Sequence, residues 1–124
     1  GTGVPPSQAA VQTYVANANA PDYTTTISIA AASTIMNVTH GLGAVPSRFT
    51  AHLKCITANN GYAVGDHVAF DGYADYYNYV RTLSASATTL SAIYYSGLRI
   101  GNKTTGASVV LTASQWNLVF RAWK

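Results

Sequence analysis

The residues best able to do chemistry cluster between positions 71 and 79, where Asp71, Tyr73, Asp75, Tyr76, Tyr77, Asn78 and Tyr79 follow one another closely. Tyr94, Tyr95 and Arg99 add a second group downstream. Aromatic rings stack on the apolar faces of sugars, and their hydroxyls add hydrogen bonds. Tyrosine is also rigid for its contact area, which lowers the entropic cost of recognition. The two carboxylates invite a second chemistry, because glycoside hydrolysis needs one acid and one base or nucleophile. The chain has 4 acidic residues, all Asp. The other two, Asp22 and Asp66, sit in turn sequences, so hydrolysis has little to draw on. Competing structural roles exist for the same residues: tyrosines favour strands and fill cores, and Asp side chains bond nearby backbone amides in turns. The expectation is a ligand-binding surface with no catalytic residue.

Other reactive groups are sparse. His40, His52 and His67 lack the spacing of a metal site, although a three-fold assembly would present any axial histidine three times. Cys55 is the single cysteine, which excludes an intrachain disulfide. It falls in an apolar alternation, and His52 lies on the opposite face of the same strand, so a buried thiol is expected. No Gly-x-Ser-x-Gly elbow occurs. The chain therefore reads as a non-enzyme with no cofactor and no bound metal.

The elements that must position these residues are mostly strands. Ser7 can cap a short helix over the following residues, with Val11, Tyr14, Val15 and Ala18 forming a stripe. So short a helix is marginal alone and makes sense packed against copies of itself. Pro21-Asp22 ends it. Beyond Tyr23, Thr24 to Ala30 and Thr34 to Thr39 alternate as strands, and His40 to Pro46 is a turn. Arg48 to Thr57 is the clearest strand, with Phe49, Ala51, Leu53 and Cys55 on one face and Arg48, Thr50, His52 and Lys54 on the other. Asn59-Asn60-Gly61 signals a hairpin, and Val64-Gly65-Asp66 another turn. His67 to Phe70, Val80 to Ser84 and Thr88 to Tyr95 follow, and residues 101–106 form a loop. Gln115 to Lys124 closes the chain, with Trp116, Leu118, Phe120 and Ala122 inward and Asn117, Val119, Arg121 and Trp123 outward. Short strands with frequent turns predict an antiparallel β-sandwich or barrel.

Composition narrows the class. Only 9% of the 124 residues are charged, against about a quarter in ordinary domains. Hydroxyls and amides must keep the chain soluble, as in many secreted and virion-surface β proteins. The net charge is +3, but the basic residues are scattered singly along the sequence, which argues against nucleic acid. A weak attraction to anionic polysaccharide fits the charge. No stretch is long and apolar enough for a membrane span.

Thr39-His40-Gly41-Leu42-Gly43-Ala44-Val45-Pro46, Leu53-Lys54-Cys55, residues 57–66, Asn102-Lys103-Thr104-Thr105 and residues 116–124 follow one another in an order that resembles the C-terminal receptor-binding tip domain of tailed-bacteriophage tail fibres. Each is weak alone; their order along residues 23–124 carries the likeness. The resemblance implies an all-β, antiparallel sandwich assembled as a homotrimer at the distal end of a virion fibre. It also implies host recognition and attachment through a bacterial glycan, lipopolysaccharide or surface protein. Residues 1–22 then form a helical junction to the upstream shaft, and residues 23–124 the tip. Val11, Tyr14, Val15, Ala18 and Trp123 are the expected oligomer contacts. The divergent middle, residues 71–101, is where the ligand would be read. Alternatives are a structural fibre or baseplate module binding other virion proteins, or a secreted lectin-like domain.

Overall fold

A computed structural model of the chain describes residues 20–30, 34–70, 73–74, 80–94 and 98–124. The expected helix and its stripe of Val11, Tyr14, Val15 and Ala18 lie outside the described residues. What is described is all-β, and every strand pairing is antiparallel.

The strands are β1 (Tyr23–Ser28), β2 (Thr34–Thr39), β3 (Arg48–Cys55), β4 (His67–Ala69), β5 (Tyr73–Ala74), β6 (Val80–Ala85), β7 (Thr89–Tyr94), β8 (Arg99–Gly101), β9 (Ser108–Val110) and β10 (Trp116–Trp123). A first sheet has the order β1-β10-β3-β4, a second β2-β7-β6-β5, and β8 and β9 form a separate hairpin. Strand alternation sends every second side chain inward. From the first sheet Ala51, Leu53, Cys55, Trp116, Leu118, Phe120 and Ala122 reach one core, where they meet Met36, Leu90, Ala92 and Tyr94 from the second. Two antiparallel sheets sharing one core are consistent with a β-sandwich.

The β3–β10 register matches bulk to gap. Trp116 lies opposite Cys55, Phe120 opposite Ala51, and Ala122 opposite Phe49. Interleaving large and small residues fills the space between strands without voids. The alternation expected for β3 and the inward row of β10 are both present. Val119 differs. Expected outward, it is 7% exposed, flanked by its register partners Thr26 and His52. The stretch 98–111 also departs from expectation, for β8 and β9 form strands on either side of the expected 101–106 loop.

The register fixes two ends. Tyr23, Arg48 and Trp123 lie at the near end of the first sheet, and Ser28, Cys55 and Trp116 at the far end. His40 joins the near ends of the two sheets. Its backbone N–H donates to Thr88 O at 2.9 Å, and the Ser47 N–H donates to Trp123 O at 2.9 Å. The His40 ring is buried and bridges to the β6–β7 turn. Nδ1 accepts the Leu42 N–H at 3.0 Å, so Nε2 carries the proton and donates to Ser86 O at 2.8 Å. At the far end the Tyr94 hydroxyl donates to Ala30 O, just beyond β1.

Candidate functional site

The far end is built from short loops locked to one another. Asn60 and Gly61 have φ of 52° and 85°, the pair of positive angles a two-residue hairpin turn demands. A Cβ on Gly61 would lie 2.6 Å from Thr104 Oγ1 and 3.1 Å from Thr104 N, so the turn needs glycine for space as well as for angle. Lys103 N–H donates to Asn60 O at 3.0 Å, and Lys103 Nζ lies 3.0 Å from Asp66 Oδ2. The Ala63 N–H also donates to that carboxylate, at 3.0 Å. This backbone donor, and then Lys103, hold the Asp66 carboxyl below its ordinary range. Asn59 is the hub: its Oδ1 accepts the indole N–H of buried Trp116 at 3.0 Å and the Thr112 N–H at 3.2 Å. The sequence strings at 57–66, 102–105 and 116 thus meet in space as framework.

A cavity of about 370 Å³ opens beside this framework. Among the described residues, Arg81, Arg99, Ile100, Gly101, Gly106 and Ser108 line it, with Val68 and Ala69 of β4. Arg99 Nε donates to Ser108 Oγ at 2.9 Å and Nη2 to Ser108 O at 3.2 Å, while Arg81 Nη1 donates to Arg99 O at 3.1 Å. The Tyr62 hydroxyl donates to Gly101 O at 2.6 Å and pins the hairpin. Two guanidinium groups, a hydroxyl and an aliphatic wall suit a polar ligand with an apolar face, such as a sugar.

The expected binding residues separate in the structure. Arg99 lines the cavity. Tyr73 is on β5, paired with Arg81 of β6. Asp71, Asp75, Tyr76, Tyr77, Asn78, Tyr79 and Tyr95 lie outside the described residues. Tyr94 requires a correction. It is 2% exposed and packed in the core, with its hydroxyl bonded to Ala30 O and 3.9 Å from Met36 Sδ. Its phase with Leu90 and Ala92 turns it inward, and burial pushes its phenol up. It is a core residue with no surface to offer a ligand. Leu98, within the 71–101 stretch expected to read the ligand, is likewise buried at 2%.

Trp123 is half-buried on the outward side of the first sheet, with the Arg48 guanidinium 4.3 Å from its ring centroid. Cys55 is fully buried, its thiol donating to Thr57 O at 3.1 Å. Among the described residues no three of His, Cys, Asp and Glu converge on a metal position. His52 and His67 do converge as a pair, on the outer face of the first sheet, with ring centroids 4.7 Å apart. Sequence reasoning placed His52 outward but did not bring it together with His67 and Arg121, because that requires the register of β3 against β4 and β10.

No protein-family model, no curated protein and no solved structure matches this chain.

Proposed function

We propose that the chain is the tip of a tailed-bacteriophage tail fibre, an antiparallel β-sandwich that assembles as a homotrimer and attaches the virion to a host surface glycan, lipopolysaccharide or protein. The observation that supports this reading is the division between ends. The described chain starts and finishes at the near end, where the Lys124 N–H donates to Asp22 Oδ2 at 2.7 Å. The Arg81–Arg99 cavity lies away from it, at the end of β6 where Arg81 pairs with Tyr73 of β5. A module tethered at one end and reading with the other has the layout an adhesive tip requires. Residues 1–22 would join it to the shaft, and Val11, Tyr14, Val15, Ala18 and Trp123 would contribute to the trimer.

Recognition in this reading is reversible, with no bond made or broken. Three copies of a modest site, repeated over several fibres, give avidity without high single-site affinity. Loops on a rigid scaffold suit the task, because they vary while the frame holds.

The test is adsorption of fluorescently labelled protein to a panel of bacterial strains. Wild-type protein is expected to bind a subset of strains. The Tyr76→Ala, Tyr77→Ala double variant is expected to keep its assembly and lose binding by about tenfold or more, the scale of paired aromatic anchors. Full binding by that folded variant would remove Tyr76 and Tyr77 from the site. Absence of binding to every strain would overturn the adhesive reading.

A further inference from the structure

The outward face of the first sheet gathers positive charge from three adjacent strands. Lys54 and His52 stand on β3, Arg121 on β10 and His67 on β4. His67 is the register partner of Lys54, and His52 and His67 are diagonal neighbours. His52, His67 and Arg121 line one shallow depression. Within it, His52 Nε2 is buried and makes no hydrogen bond, an exception to the near-universal pairing of buried polar atoms.

The surrounding groups select the sign of the ligand. From β1 the face receives Thr24, Thr26 and Ser28; from β10, Asn117 and Trp123 beside Arg121; from β3, Arg48 and Thr50. The described carboxylates are those of Asp22 and Asp66. Asp22 sits at the near-end margin, accepting the Lys124 N–H, and Asp66, next to His67, is held by Lys103 and the Ala63 N–H. Burial, His67, Arg121 and Lys54 together hold His52 below its ordinary value. A metal cation bound by the two imidazoles would meet that same repulsion. An anion would relieve it.

We propose that this patch binds a tetrahedral oxyanion, the sulfate or phosphate ester of an anionic glycan, through Arg121, Lys54 and the His52–His67 pair, more tightly as His52 takes up a proton. Guanidinium and ammonium groups hold such oxygens with charge-assisted bonds, and a protonated imidazole is a donor at both ring nitrogens. The site is separate from the far-end cavity and stands whether or not the fibre-tip reading does.

Inorganic sulfate is the first probe, because its charge is constant across the range in which imidazoles titrate. Titrated into the 124-residue chain and followed by NMR, it is expected to shift the His52, His67 and Arg121 side-chain signals together. Affinity should be at least about threefold higher near pH 5.5 than near pH 8, and His52→Gln should shrink that difference. Sulfated dextran is the second probe. The Lys54→Gln, Arg121→Gln variant is expected to bind it about tenfold more weakly than wild type. The Lys124→Gln, Ser84→Asp variant lowers the net charge equally elsewhere and should stay within about twofold. Equal losses in the two variants, or a sulfate titration that leaves both histidines unmoved, would overturn the site. Sulfated dextran binding no more tightly per sulfate group than the free ion would overturn its assignment to a glycan.

Discussion

The two main sheets share one core and present opposite exteriors. The first sheet turns Arg48, His52, Lys54, His67 and Arg121 outward. The second turns out Ile35, Asn37 and Thr39 from β2, Thr82 and Ser84 from β6, and Thr89, Ser91 and Ile93 from β7, all neutral. Ile35 is 58% exposed there, beside its register partner Ile93. In a chain this poor in charge, the difference between the outward rows of the two sheets cannot follow from the fold, since both rows are left free by packing. The difference lies wholly in the residues that packing leaves free, and those are where function is written.

Equivalence inside is the first thing to break. Leu53 and Leu90, one from each sheet, are both fully buried. Leu53→Ala and Leu90→Ala should each cost about 3 kcal/mol, read from urea midpoints at constant m-value. A negligible cost for either would mean that the sheets do not share one core. Asn59→Ala should come next, at about 1–3 kcal/mol, because it strands the indole N–H of buried Trp116.

A transplant sharpens the contrast outside. Adding Ser84→Lys and Ser91→Lys to the Lys54→Gln, Arg121→Gln variant restores net charge on the wrong layer. Sulfated-dextran affinity should stay within about twofold of the defective parent, because scattered surface charges supply little by themselves. Recovery would show that net charge, rather than the arrangement, governs binding.

The smallest effect is the stability difference set by His52. Its lowered pKa means that the unfolded chain binds the proton more readily. Stability is therefore highest above the ordinary histidine value of 6.5 and falls as pH drops through that value toward the depressed one. The urea midpoint of His52→Gln should lose less than that of wild type over the same interval. Sulfate should offset part of the wild-type loss. An identical pH response in the two proteins would remove His52 from the electrostatics of this face.

Much of the frame was legible in the sequence because strand periodicity writes it directly. The inward rows of β3 and β10 alternate cleanly, and Asn60-Gly61 names its own turn. β8 and β9 escaped because Arg99–Gly101 and Ser108–Val110 are too short to display a period. Tyr94 was the opposite case. Its phase with Leu90 and Ala92 was visible, but tyrosine's value as a binding residue drew the reading outward. The roles of His40 and Asn59 were hidden by distance along the chain, since His40 meets Ser86 and Asn59 meets Trp116. The convergence of His52, His67 and Arg121 was hidden for the same reason: three strands must be aligned before their outward residues become neighbours.

The reading of the chain as an adhesive tip stands or falls on multivalency. The absolute mass in solution, from light scattering coupled to size exclusion, tests it most directly. The account predicts a single species with the mass of three 13.0 kDa chains, unchanged on dilution through the micromolar range. A monomer at every concentration would contradict it, removing the avidity argument and the shaft role of residues 1–22 together.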